Sequence, residues 1–346
     1  MGGNLSSTSL FQLFPSLERQ VPWVSLGQLP TPVEDATAVF AACGRSGELW
    51  LKRDDLSSPI YGGSKLRLLE HALPAARARG ASHVYSSGAI GSNFAVATAL
   101  HAPRLGLAPG AICFPQPLTA SAQNNHSVVQ ARATVVEIQH WSVLPLASEL
   151  VRRRAAERGE RAEVLSQVAL SADALLGYVN AGLELARQIA GRECPAPARV
   201  VLPIGSAATT GGVLAGLALA RKLSIITAVP QLVAVRIAPW PLSRRARVLK
   251  LAGQALARVA ELTGKAEYGL GKRELLPVSI VADQLGQGYA QPTPAASAAR
   301  AAFAEAGWAL LDDTYTAKAA AHVLSTSHVA VGPTLLWCTK SSAPLP

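Results

Sequence analysis

Two glycines and then a lysine, at the start of a helical stretch, make Tyr61-Gly62-Gly63-Ser64-Lys65 the first place to look for chemistry. Glycine lets the backbone turn tightly and lets a ligand approach it closely. Ser64 can cap the helix. Lys65 then falls in the first turn, where the helix dipole disfavours a cation. An amine that is costly to keep charged loses its proton readily, which suits a nucleophile or a Schiff base. A surface lysine after an ordinary turn is the competing reading.

A second run, Gly205-Ser206-Ala207-Ala208-Thr209-Thr210-Gly211-Gly212, follows an apolar strand and opens a helix. Small residues leave backbone N–H groups exposed and the hydroxyls add donors, as in a phosphate cradle. The Gly-Lys-Ser/Thr ending of a nucleotide loop is missing, and so is the G-x-G-x-x-G spacing of a dinucleotide site. An ordinary strand-to-helix loop remains the alternative. Ser86-Ser87-Gly88-Ala89-Ile90-Gly91-Ser92-Asn93 also joins a strand to a helix. Ser92 and Asn93 could there hold a carboxylate or a ring oxygen, or simply cap the helix. Tyr289 lies in the glycine-rich loop Gly286-Gln287-Gly288-Tyr289, and Tyr315-Thr316 follows Asp312-Asp313. Loop aromatics beside glycines favour binding. The aspartates read more simply as caps of the next helix. Asp54 and Asp55 are adjacent and so point apart, which makes them a poor acid/base pair. Most of the seven histidines, including His71, His101 and His322, sit on helix-like segments without partners at ligand spacing and read as structural, and no G-x-S-x-G elbow is present.

These groups need elements to hold them. From Ser64 onward, helical and strand-like stretches alternate. Periodicity predicts helices over 65–80, 92–105, 120–131, 143–158, 172–190, 210–222, 242–262, 294–306 and 317–324. Strands are expected at 48–51, 83–86, 111–114, 134–138, 162–165, 200–204, 232–235, 279–281, 309–311 and 334–337. That alternation argues for an α/β fold with parallel sheets. Residues 1–50 read as Pro- and Ser-punctuated chain with one short strand-like stretch.

Composition narrows the classes. With 49% hydrophobic and 16% charged residues the chain is globular rather than disordered. Its length favours two domains or one large one. Net charge is +10, yet basic residues do not cluster with aromatics. A nucleic-acid partner is therefore not expected, and an anionic small molecule uses positive potential equally well. The run Arg152-Arg153-Arg154 reads as a solvated helix face. Four scattered cysteines without zinc spacing, no transmembrane-length apolar run and no opening signal segment point to a cytoplasmic protein with reduced thiols and no metal.

Taken in order, Leu51-Lys52-Arg53-Asp54-Asp55-Leu56, Gly62-Gly63-Ser64-Lys65-Leu66-Arg67, Gly91-Ser92-Asn93, Gly205–Gly212, Gly288-Tyr289 with Pro292-Thr293, and Leu311-Asp312 with Tyr315-Thr316-Ala317-Lys318 resemble one family. It is the fold-type II pyridoxal-phosphate enzymes of the 1-aminocyclopropane-1-carboxylate deaminase and D-cysteine desulfhydrase group. The resemblance spans about residues 30–340. It implies a tryptophan-synthase-β-like fold of two α/β domains, each with a mostly parallel sheet flanked by helices. The large domain would be 1–66 with 179–346, and the small inserted domain 67–178. It implies a cytoplasmic homodimer with pyridoxal 5'-phosphate between the domains and a small amino acid as substrate.

The resemblance also implies roles. Lys65 would carry the cofactor as a Schiff base and shuttle the α-proton. Gly205, Ser206, Ala207, Ala208, Thr209 and Thr210 would bind its phosphate. Asn93 would bond its ring hydroxyl, Ser92 the substrate carboxylate, and Tyr289 and Tyr315 would flank the substrate. Thr316 and Thr339 would be ring-nitrogen contacts. The cyclopropane deaminases have a glutamate where Thr316 stands. A hydroxyl is a weaker partner for a protonated ring nitrogen, which favours β-elimination over ring opening. The family's closing His-Thr-Gly-Gly is here Cys338-Thr339-Lys340-Ser341. The expected activity is therefore α,β-elimination from a small amino acid, releasing ammonia and a 2-oxo acid. Ring opening, or a non-catalytic relative that only binds ligand, are the alternatives.

Overall fold

A computed structural model describes residues 8–238, 241–271, 273–275, 277–308, 311–325 and 332–346. Among the described residues, ten strands form two sheets. They are β1 (Val33–Asp35), β2 (Leu49–Lys52), β3 (His83–Ala89), β4 (Ala108–Phe114), β5 (Thr134–Glu137), β6 (Ala162–Ser166), β7 (Arg199–Ile204), β8 (Gln231–Arg236), β9 (Val278–Val281) and β10 (Thr334–Trp337). The larger sheet runs β1-β2-β10-β7-β8-β9, and the smaller runs β5-β4-β3-β6. Every pairing is parallel except that of β1 with β2. Parallel sheets need helices on both faces, so their strands read as short apolar runs. Strand β7, Arg-Val-Val-Leu-Pro-Ile, is such a run, with its last five residues buried.

Among the described residues, twelve α-helices accompany the sheets. Three short ones come early: α1 (Ser9–Leu13), α2 (Leu17–Gln20) and α3 (Thr37–Ala42). Then follow α4 (Ser64–Ala78), α5 (Asn93–His101), α6 (Ala120–Arg132), α7 (Leu144–Ala156), α8 (Ala172–Ala190), α9 (Ala208–Lys222), α10 (Arg245–Thr263), α11 (Pro294–Glu305) and α12 (Thr316–Ser325). Each expected helix from Lys65 onward is present, as is each expected strand that the described residues cover. Residues 309 and 310 of the strand expected at 309–311 lie outside them, and Leu311 is loop.

The first fifty residues hold more structure than their punctuation suggests. Strand β1 and helices α1 to α3 sit there because later residues supply their partners. Pro74 stands inside α4 and cannot donate to the Glu70 carbonyl. The Val24 N–H takes that carbonyl at 2.9 Å, and Glu70 Oε1 accepts from Leu26 N at 3.1 Å. The Leu10 N–H reaches Asn180 Oδ1 on α8.

Helix α4 is also fixed by a buried ionic cluster. Arg67 bonds both Asp54 (2.7 Å) and Glu184 on α8 (2.9 Å), and Lys52 bonds Glu184 at 2.5 Å. Thr31 and Gln188 complete it. Buried charges persist only when paired and hydrogen-bonded, and two cations here face two carboxylates. Asp55 turns instead to Arg53. The two adjacent aspartates thus serve different partners, from a 3₁₀ turn rather than a strand. Arg152 and Arg153 sit exposed on α7 beside Glu149, as a solvated face.

Candidate active site

The carboxyl ends of the strands in both sheets meet at a cleft of about 650 Å³. Ligands of open α/β folds bind at this edge. Lys65, Ser92, Asn93, Gly205, Ser206, Ala207, Ala208, Thr209, Thr210, Tyr289, Tyr315 and Thr339 all line it. Stretches scattered over some 275 positions of sequence therefore come together. Thr316 does not line this cleft. It is buried at the start of α12 and faces a small separate cavity with Arg53, Trp308 and Cys338.

Lys65 is the second residue of α4. The N-cap is Gly63, at φ +89°, and Ser64 makes no side-chain cap, contrary to the expectation for it. Only glycine fits at 63. A Cβ would stand 2.6 Å from the Thr339 carbonyl, which itself accepts from Ser64 N at 2.8 Å. The Cys338–Ser341 segment thus packs against the lysine turn. Burial lowers the Lys65 pKa to about 8. The direction is the one expected, and the desolvation of a buried amine produces it.

Asn93 has a defined orientation. Its Oδ1 accepts from Tyr61 Oη at 2.9 Å and from Asn125 Nδ2 at 2.8 Å. With the oxygen occupied twice, the amide N–H groups are left for the cleft. Neither Tyr61 nor Asn125 was foreseen. Asn125 lies on a different helix, so no local pattern links it to Asn93. Ser92 caps α5, with Oγ accepting from Phe94 N and Ala95 N. Its own hydroxyl proton remains available to a ligand.

Tyr289 and Tyr315 share a 2.5 Å hydrogen bond between their hydroxyls. Burial raises both pKa values, so both phenols stay protonated. One proton lies between the oxygens and the other is free. Two devices hold the pair. Asp312 accepts from the backbone N of Thr314, Tyr315 and Thr316, which is the capping role expected for it. Lys318, buried on α12, donates to the Leu285 and Gly288 carbonyls and staples the loop that carries Tyr289.

The 205–210 loop runs from β7 into α9. Ala207 takes φ +68° and no side chain caps the helix, so the first amides remain open. Thr210 Oγ1 is buried without a hydrogen-bond partner. An orphaned donor beside free amides at a helix N-terminus fits an anion. Gly211 and Gly212 belong to packing instead. A Cβ on Gly212 would come within 2.1 Å of Tyr178 Cβ on α8, and one on Gly211 within 3.0 Å of Leu251 Cβ on α10. Arg247, which sequence reading missed, bonds the Ser206 carbonyl at 3.0 Å and adds positive charge behind the loop.

Residues 24–334 match the family described as "Pyridoxal-phosphate dependent enzyme". The chain belongs to this family. Pyridoxal phosphate fits the cleft in its parts, with an anion cradle at Gly205–Thr210, a carbonyl-reactive amine at Lys65, and amide donors at Asn93. Among curated relatives, the "Nocardicin C-9' epimerase" of Nocardia uniformis subsp. tsuyamanensis is 37% identical over 299 residues, 84% of this chain and 86% of its own. The "D-cysteine desulfhydrase" of Salmonella choleraesuis (strain SC-B67) is 30% identical over 309 residues, 88% of each. The solved structure of an "ACC deaminase homologue" aligns with TM-score 0.78 at 22% identity, over 98% of this chain and 96% of its own. That likeness shows the fold, which is the fold-type II arrangement expected from the sequence. Among the described residues, no helix of this pyridoxal-phosphate dependent enzyme is long and apolar enough to cross a membrane.

Proposed function

We propose that the chain is a lyase acting on a small amino acid by α,β-elimination, in the manner of a D-cysteine desulfhydrase. The carrying observation is the make-up of the cleft. It holds a lysine amine with a lowered pKa and two tyrosines, and no Asp or Glu among the described lining residues. Bound pyridoxal phosphate supplies an electron sink for the substrate's α-carbon. Lys65 Nζ takes the α-proton. Ser92 and the N-terminus of α5 hold the substrate carboxylate. The free phenol proton of the Tyr289–Tyr315 pair goes to the departing β-substituent. Thr339, which lines the cleft, stands in for Thr316 as the ring-nitrogen contact.

Without a carboxylate, a long-lived negative charge at the α-carbon is poorly supported. A substituent that leaves as the proton leaves avoids that need. The sum is cysteine plus water giving hydrogen sulfide, pyruvate and ammonium. The test is 2-oxo acid formed by the holoenzyme from D-cysteine, from β-chloro-D-alanine and from 1-aminocyclopropane-1-carboxylate. The first two should exceed the third, and faster turnover of the cyclopropane acid overturns the reading.

Epimerisation is a second reading, favoured by the 37% identical relative that is named an epimerase. Exchange of the α-hydrogen in heavy water, with inversion and no 2-oxo acid, would select it. The reading includes a small inserted domain at 67–178 and a large one at 1–66 with 179–346. All four strands of the smaller sheet fall within the insert. A cytoplasmic homodimer goes with this reading, and sedimentation checks the dimer.

A further inference from the structure

The order of the smaller sheet lays the cleft out along a line. Its strands run β5-β4-β3-β6, so their carboxyl ends come in that order too. After β6 comes Ser166–Val168, tied to the phosphate-binding side because Arg247 bonds both the Val168 and the Ser206 carbonyls. After β3 come Ser92 and Asn93. Beyond them, away from the phosphate loop, lie Phe114, Pro115 and Pro117 after β4, then Trp141 and Leu144 after β5.

That far end is apolar, and more open than hydrogen sulfide or chloride needs. Trp141 is 61% exposed although it lines the cleft. Among the described lining residues, Gln116 is the one polar side chain that the β4 and β5 ends add. Lys340 also lines the cleft, reaches Ser121 Oγ at the start of α6 at 3.2 Å, and is the one cation besides Lys65 among the described lining residues. Lys340 and Ser92 suit an α-carboxylate, which leaves the Phe114–Trp141 end for what the β-carbon carries. A solvent-exposed tryptophan next to prolines is a surface that apolar groups cover favourably.

We propose that the β4–β5 end is a leaving-group subsite for alanines bearing an apolar or aryl thioether on the β-carbon. This rests on the elimination reading. The Cβ–S bond breaks as the α-proton moves to Lys65. The thiolate takes the free tyrosine proton and departs as a thiol. One water then converts the remaining carbon skeleton to pyruvate and ammonium.

The test uses the holoenzyme with S-phenylcysteine and β-chloroalanine, in both enantiomers. Trp141→Ala should lower the ratio of kcat/KM for S-phenylcysteine to that for β-chloroalanine by about tenfold or more, through lost apolar burial. An unchanged ratio overturns the proposal. So does dissociation of a dimer by Trp141→Ala with an equal loss on both substrates, since the surface would then be a subunit interface. Binding is read separately with 2-amino-4-phenylbutanoate, which has the shape of S-phenylcysteine but no leaving group. It should shift the visible absorbance of the bound cofactor at lower concentration in wild type than in Trp141→Ala. Equal titrations count against the subsite. A normal titration without pyruvate from any substrate leaves the subsite standing and removes the elimination reading instead.

Discussion

Lys65 loses its charge easily because the cleft wall strips it of water, and this sets a pH dependence. Its pKa is lowered to about 8, so the neutral amine, which attacks a carbonyl, gains population as pH rises toward that value. Covalent uptake of pyridoxal phosphate by the apoprotein should therefore quicken by about tenfold per pH unit below 8 and level off above it. Stopped-flow absorbance checks this, and a flat profile would detach the lysine from the reaction. Lys65→Ala should abolish the borohydride-reducible absorbance while the far-UV circular dichroism stays unchanged. Asn93 depends on neighbours in another way. Tyr61 and Asn125 occupy its oxygen and so aim its N–H groups. Asn125→Ala should slow turnover more than it unfolds the protein, because one of the two donors that orient the amide is lost. Equal losses of turnover and of stability would make Asn125 merely structural.

Helices and strands carry the site through close backbone approaches, and two glycines separate site from scaffold. Gly63→Ala places a methyl against the Thr339 carbonyl at a positive φ, so it should distort the lysine turn itself. Gly212→Ala drives a methyl into Tyr178 between α9 and α8. It should cost about 1–3 kcal/mol, as overpacking does, with a lower Tm before any change in cofactor affinity. Calorimetry beside cofactor titration tells the two apart, and a Gly212 variant that lost phosphate affinity at unchanged Tm would put that residue back in the anion loop. From sequence, Gly211 and Gly212 could not be told from the anion-binding residues before them, since small residues serve both purposes. The alternation from Lys65 onward was legible because apolar periodicity decides those elements locally. Strand β1 and helices α1 to α3 were not. Their partners lie outside their own short runs: β2 for β1, the Asn180 side chain for α1, and the Glu70 carbonyl freed by Pro74 for the Val24 segment that joins α2 to β1. Thr316 shows the same limit within the site. Next to Tyr315 in sequence, it faces another cavity because Asp312 turns the chain into α12 between them.

The whole molecule is held at one point by Lys52, Asp54, Arg67 and Glu184, which join β2, the following turn, α4 and α8. Arg67 is two residues from Lys65, so the orientation of the reactive amine is linked to this cluster. Burial alone would raise the Glu184 pKa, but Arg67 and Lys52 outweigh it and hold the group at about 2 against an ordinary 4.5. A carboxylate with a depressed folded pKa contributes stability above its unfolded pKa, and that contribution is lost as pH falls through the folded one. Glu184 should therefore make the fold acid-sensitive between about pH 4.5 and pH 2. Glu184→Gln removes one carboxylate from two buried cations, so it should cost about 3–5 kcal/mol at neutral pH. In acid the wild-type side chain becomes neutral as well, and the two proteins should converge. Urea unfolding of both, from neutrality down to about pH 2, measures the gap. A gap that stayed constant across that range would mean the carboxylate acts through packing alone, and the cluster would no longer account for how α4 is held.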